Sequence, residues 1–359
     1  MIAADPLFSR LCSEALARAG SAPSVAAAVR CPARGVDWQG GAVRGAPIGP
    51  GFADRPFRIA SITKPFVAAA IHRLAETGRL AIADPVAGFL LPRTNAMLRD
   101  GGHDPAALRI AHLLTHTGGL PDHTATASYR AAVAATPDRR WERQEQVALA
   151  ITEARPVGAP GEVYSYSDTG YVLLGEIVEQ VSGQPLAGAV RQLLDYARLG
   201  LASTWWEGAE PPPHGALPPA RLAVGAAEGM DYDPSFDLFG GGGLIATLAD
   251  CNRFLAALLG GEVLAMPHLV GALATPAARR PADAPTWRTH NHLLASMAVG
   301  RHWALGHTGF WGSAAVRIPA LGADIAVSLN CGDPEAFAAA RALLGGLADA
   351  LDTIAESSQ

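Results

Sequence analysis

The chain has 359 residues, 49% hydrophobic and 17% charged, enough to bury one large core or two fused lobes and unlike a disordered or coiled-coil protein. Its 28 basic and 33 acidic side chains give a formal charge of -5. The absence of any Lys/Arg block or aromatic-basic interleaving argues against a nucleic-acid partner.

Residues 1–6 lack the basic and apolar regions of a signal peptide, and no uninterrupted apolar run approaches the length of a membrane span. Cys12, Cys31, Cys251 and Cys331 are too scattered for a disulfide framework or a metal-binding pair. The expectation is a cytoplasmic protein with no membrane partner.

In chain order, Leu7, Leu11 and Leu16 mark a first helix, and residues 24–30 and 36–38 read as short strands separated by Pro32 and Gly35. Phe57-Arg-Ile59 leads into what reads as the longest helical pattern of the chain. Its apolar positions Phe66, Val67, Ala70, Ile71 and Leu74 recur at three and four, and Gly78 ends it. Helices are predicted over 110–114 and 145–153, and another follows from a cap at Asp168 or Thr169. Residues 211–219 form a Pro-rich connector. A helix runs from Leu248 or Asp250 to Leu259 after the glycine run Gly240–Gly243. Residues 303–307, 313–318 and 324–329 read as a three-strand meander, and 335–352 as a terminal helix. Strands at both ends around a helical middle predict an α+β fold, with an antiparallel sheet built from both chain ends and flanked by helices. One catalytic unit then comprises an α/β lobe (1–80 and 290–359) and an inserted, mostly helical lobe (81–289).

The most informative stretch is Ser61-Ile-Thr-Lys64. On a helix, residues three apart share a face, so Lys64 lies beside a hydroxyl that needs a basic neighbour to become a useful nucleophile. Unpaired N–H groups of a first helical turn would favour negative charge developing there. Alone, the tetrad reads equally well as a serine cap followed by a solvated lysine.

Its surroundings decide the matter. Tyr166-Ser-Asp168 and His307-Thr-Gly309 follow in order, with Leu113-Leu-Thr-His-Thr-Gly-Gly-Leu-Pro121 and Tyr164-Ser-Tyr-Ser-Asp-Thr-Gly-Tyr-Val-Leu-Leu-Gly175 nearby. From about residue 57 to 332 the chain resembles the serine beta-lactamase and penicillin-binding protein superfamily, most closely its class C-like branch of esterases, D-amino-acid peptidases and amidases. The resemblance implies Ser61 as nucleophile, Lys64 as its hydrogen-bonded partner and Tyr166 as shared acid and base, with Tyr164 and Tyr171 as neighbouring candidates. It implies an oxyanion hole from the N–H groups of Ser61 and Phe310 and substrate contacts at Asp168, His307, Thr308 and Gly309; Trp311, just past that last motif, is expected to wall the acyl pocket. It implies no cofactor and no metal.

Two positions depart from the family pattern. Asp168 stands where the branch usually has Asn; an ionised carboxylate can pair with Lys64 but donates no hydrogen bond, and a simple helix cap remains the alternative. His307 stands where the wider family has Lys. A largely neutral imidazole disfavours capture of a substrate carboxylate, unless another cation, such as an arginine from a cleft loop, replaces the lysine.

The expected function is a metal-independent serine hydrolase acting on a small ester or amide, foremost a carboxylesterase. A D-amino-acid peptidase or amidase, a beta-lactamase, and a non-catalytic binding protein derived from the fold are the alternatives. His112 and His116 are four apart, but without a third ligand they read as structural. Asp231, Tyr232, Phe236, Trp287 and Trp303 are expected in pocket or core, and Gly240–Gly243 as tight packing or a turn.

Overall fold

Strand Ser24–Cys31 alternates with a period of two: Val25, Ala27 and Val29 enter one core, and Ala26 and Ala28 the other. The computed structural model describes residues 4–49, 51–225, 227–274, 278–280 and 288–356. In it this strand lies inside a seven-stranded sheet. The order is Val36–Val43, Ser24–Cys31, Ala323–Ser328, Ser313–Ile318, His302–Gly309, Ala295–Val299 and Arg288–His290. Every neighbouring pair is antiparallel. The sheet is therefore assembled from both chain ends, as the sequence predicts, with Ala26 opposite Ser328.

Helices Ala4–Arg18 and Pro334–Glu356 cover one face, supplying Phe8, Leu16, Leu343, Leu347 and Leu351 to its core. On the other face small residues, among them Ala26, Ala28, Ala315 and Ala326, share a core with helices Lys64–Glu76, Asp168–Ser182, Leu186–Leu194 and Leu248–Leu259. Asn252 ties this layer to the sheet through the Ala28 carbonyl at 3.3 Å. Among the described residues no helix is long and apolar enough to cross a membrane.

Several boundaries differ from the sequence reading. The second strand extends to Val43 through Gly40 and Gly41, which blur the alternation. A Cβ on Gly41 would collide with the Val25 carbonyl and the Phe52 ring, so glycine permits the close strand approach. The C-terminal meander gains two strands, Ala295–Val299 and Arg288–His290.

The longest helix is the terminal one, at 23 residues, and the helix after Ser61 has 13. Ser61 itself lies in a 3-10 turn, Ala60–Thr63, and the α-helix starts at Lys64 with Pro65 in its first turn, where proline's missing N–H leaves no helical hydrogen bond unmade. The cap of helix Asp168–Ser182 is Ser167, which places Asp168 at the first helical position.

The glycine run bends tightly against this last helix. The Phe239 carbonyl abuts Gly175, and Gly240, at φ 124°, abuts the Tyr171 carbonyl. A methyl group at Gly175 would strike the Phe239 backbone, so Gly175→Ala should destabilise the protein by about 1–3 kcal/mol, the scale of overpacking. The measurement is the urea midpoint at unchanged m-value; an unaltered midpoint would show that the loop yields freely.

Candidate active site

Three segments converge on the Lys64 ammonium, whose side chain has 0% exposure. Its Nζ donates to Ser61 Oγ at 2.7 Å and to the Gly241 carbonyl at 2.6 Å, and forms an ion pair with Asp168. Three N–H donors thus face three acceptors. Burial pulls the lysine's pKa down, but Asp168 foremost, then Tyr166 and Asp237, outweigh it and hold the group protonated.

Ser61 sits where strand Phe57–Arg58 turns into the lysine helix, and Ala60 before it has φ 47°, a left-handed conformation uncommon for a residue with a Cβ. The turn rests against the end of strand His302–Gly309. A Cβ on Gly309 would meet the Ile59 carbonyl at 2.5 Å, so this glycine makes room for the serine turn as well as bordering a cavity.

Tyr166 also reaches Ser61, its hydroxyl donating to Ser61 Oγ at 3.0 Å. Burial pushes the phenol up to about 12, reinforced by Asp168 and opposed by Lys64 and Arg288. The ring is backed by His116, stacked at 4.3 Å between centroids. His116 has φ 56°; its Nδ1 accepts from the Ser167 N–H at 3.2 Å, while Ser167 Oγ donates to the Pro121 carbonyl at 2.9 Å. The Leu113–Pro121 phrase therefore forms the seat of the tyrosine segment. His112 turns elsewhere, its Nδ1 accepting the Arg109 N–H, so the two histidines share no ligand geometry. Tyr164 bonds to His290 Nδ1 at 2.7 Å, and Tyr171 donates to the Leu114 carbonyl; neither contacts Ser61 in this arrangement.

Among the described residues the groups close enough to share a metal ion are His302, Asp349 and Asp352. Asp352 is already paired with Arg34 and Arg301.

His307 is buried behind the cleft and lines neither cavity that meets at Ser61. Nδ1 lies 2.7 Å from the Thr308 carbonyl and Nε2 is 3.4 Å from His290 Nε2. Burial first, then Lys64 and Arg288, push its pKa well below the ordinary histidine value, which keeps it neutral.

A cation at the cleft is Arg288, absent from the sequence reading of the site. Its guanidinium lies 5.0 Å from the Tyr166 ring centroid and donates to Thr308 Oγ1 at 3.1 Å. No motif flags it, because it stands 19 positions before His307 on a strand that the sequence reading missed.

Two cavities open from Ser61. One, of about 510 Å³, runs past Arg288, Thr308 and Gly309 toward Phe337 and Arg341. The other, of about 500 Å³, is walled by Tyr129, Val133, Tyr232, Phe236 and Trp311, with Asp168 and Asp237 on its lining. Phe310, 47% exposed, borders both. Trp311, Tyr232 and Phe236 stand where the sequence reading expects pocket residues. Trp303, 61% exposed, and Asp231 are surface residues instead, because neither points into a core or cleft; Trp287 lies outside the described residues.

This fold, with Ser61, Lys64 and Tyr166 joined by hydrogen bonds beside the sheet, defines the structural class. The Beta-lactamase family profile matches residues 11–350, and the chain belongs to that family. It is 32% identical over 229 residues to Esterase EstB of Burkholderia gladioli, a match covering 57% of each chain. It is 33% identical over 141 residues to Penicillin-binding protein 4* of Bacillus subtilis, covering 38% of this chain and 27% of that one. The matches thus span little more than half, and about a quarter, of these relatives' lengths.

In three dimensions it is similar to a D-amino acid amidase from Ochrobactrum anthropi SV3, with TM-score 0.78, 24% identity and 99% coverage of both chains. It is also similar to a D-stereospecific amidohydrolase from Streptomyces sp., with TM-score 0.77, 24% identity and coverage of 94% and 98%. At such identities the likeness is one of fold.

Proposed function

We propose that the protein hydrolyses a small ester or amide through an acyl-enzyme on Ser61, with uncharged short-acyl esters as its foremost substrates. The carrying observation is the convergence of Lys64 Nζ and the Tyr166 hydroxyl on Ser61 Oγ at 2.7 and 3.0 Å. Lys64, already protonated, takes the Ser61 proton only as it releases one, and Asp168 is the acceptor in contact with it. Tyr166, protonated at neutral pH, is suited to donate to the leaving group and then to orient the hydrolytic water. The N–H groups of Ser61 and Phe310 would hold the oxyanion, an interaction commonly worth several kcal/mol.

Arg288 favours a second reading. A guanidinium beside Thr308 can bind a substrate carboxylate, restoring the anion affinity that neutral His307 withholds. Amides or peptides bearing a carboxylate near the scissile bond would then compete with esters.

Three outcomes test this. A fluorophosphonate should label wild type, without added metal and in the presence of chelator, and leave Ser61→Ala unmodified by intact-protein mass spectrometry. Equal labelling of both, or of neither, would remove Ser61 from the nucleophile role.

Tyr166→Phe keeps the ring and its stacking on His116. It should fold normally while turnover of an ester with a poor leaving group falls about 10²–10⁴-fold. A change within twofold would place the proton shuttle elsewhere and bring Tyr164 forward.

The two substrate readings separate in kcat/KM for p-nitrophenyl butyrate beside nitrocefin and a D-Ala-D-Ala peptide. Preference for the ester supports the first. Anionic substrates turned over at least as well, with a loss of about ten- to thirtyfold on them in Arg288→Gln (1–2 kcal/mol at 1.36 kcal/mol per decade), establish the second.

A further inference from the structure

Three residues before Ser61 a charged side chain is buried. Arg58, 5% exposed, stands opposite Ile245 in the small sheet, and the Ile59 N–H donates to the Leu244 carbonyl at 3.0 Å, so the backbone leading into the serine turn is fixed. The guanidinium joins this strand to two other segments. Nε and Nη2 grip Glu207 at 2.6 and 3.0 Å, Nη1 donates to the Gly229 carbonyl at 2.7 Å, and Nη2 donates to the Tyr232 carbonyl at 2.7 Å. A planar fork satisfies a carboxylate and two carbonyls at once, whereas a compact ammonium does not match so wide a set of acceptors.

The two carbonyls belong to the segment that walls the aromatic cavity. Tyr232 and Phe236 line that cavity beside Ser61, and the Arg58 guanidinium lies 5.8 Å from the Phe236 ring centroid. Gly229 backs a further wall residue, since a Cβ there would stand 2.9 Å from the Trp311 ring. Met230 and Phe236 pack with Leu222, Trp311 and Ala60, the residue just before the nucleophile, as one small apolar cluster. The far end of the segment is tied to the helical layer. Tyr129 Oη and Gln146 Nε2, from helices Ala127–Ala135 and Arg143–Glu153, donate to the Phe236 carbonyl at 2.5 and 3.0 Å. Arg58 thus supplies a direct polar tie between the cavity wall and the strand that leads into the serine turn.

We propose that Arg58 is a positioning residue for acyl-group selection: it holds the wall formed by Gly229, Tyr232 and Phe236 in place beside Ser61, so that an acyl chain gains contact with a surface already in position. The inference rests on the hydrolase reading above and adds a determinant of its acyl preference. A wall fixed before binding gives up little freedom when the acyl group arrives, whereas a loose wall loses part of the gain from burial in becoming ordered.

The test is the ratio of kcat/KM for p-nitrophenyl butyrate to that for p-nitrophenyl acetate, which share a leaving group and differ by two methylenes. Wild type should favour butyrate at least about fivefold, the scale expected when two methylenes leave water, and a wild type without that preference overturns the assignment. Arg58→Lys keeps the charge and loses the fork. It should lower the ratio at least threefold, with the loss falling mainly on butyrate. A purely structural role predicts equal losses on both esters, so a smaller shift in a variant that folds, judged by its circular dichroism, overturns the proposal. If Arg58→Lys does not fold, Glu207→Gln takes its place, setting an amide N–H₂ against the guanidinium. That variant should lower the ratio at least twofold, and a smaller change overturns the proposal. Labelling of Ser61 with ester hydrolysis and an unmoved ratio defeats this inference alone. No labelling and no hydrolysis defeats it together with the hydrolase reading.

Discussion

A single buried ammonium organises this molecule. Removing Lys64 Nζ from water is affordable only because each of its protons finds an acceptor and one of those acceptors is charged. One acceptor is local, a hydroxyl one turn back, and two come from remote parts of the chain: a carboxylate at the start of helix Asp168–Ser182 and a carbonyl in the glycine run. Satisfying the charge therefore fixes the mutual placement of these three segments. The stacked His116, the cap at Ser167 and the glycine contacts at Gly175 and Gly240 are the supports that keep those acceptors where the charge needs them.

Around this fixed charge the cleft is electrically polarised. Arg288 and Arg341 border one cavity, while Asp168 and Asp237 border the other. The histidines between them, His116, His290 and His307, are kept neutral by burial, with nearby positive charge adding to its effect. They fill space and relay hydrogen bonds without contributing a net field. With a neutral His307 on the motif strand, the cation bordering the cleft instead comes from Arg288–His290, the next strand but one in the sheet.

Much of this was legible in sequence where the physics is local. The Ser61–Lys64 spacing, the alternation in strand 24–31 and the periodicity of helix 168–182 are set by neighbours in the chain, and fold class followed from strands at both ends. What escaped was non-local. Arg288 acquires its role only because its strand lies beside Ala295–Val299, which in turn pairs with the motif strand. Asp237 acquires its position through contact with Gly242. The turn preceding the lysine helix looks helical in pattern, yet Ala60 and the packing of Gly309 against Ile59 hold it as a tighter 3-10 turn. Gly40 and Gly41 hid the length of a strand because close approach, rather than side-chain alternation, specified them.

The pairing of Ala26 with Ser328 has a kinetic meaning. Some three hundred residues separate partners in the middle of the sheet, so the loop closed by their meeting carries a large entropic cost, and topologies of this kind fold slowly. Ser24–Cys31 and Val36–Val43 can form a hairpin early, but one of its edges stays open until Ala323–Ser328 arrives. The serine turn leans on the end of the motif strand, so its geometry is completed only in that same late step. The hydrogen-bonded setting of Ser61 is thus completed only once the two chain ends have met, and a partly folded chain carries Ser61 without it.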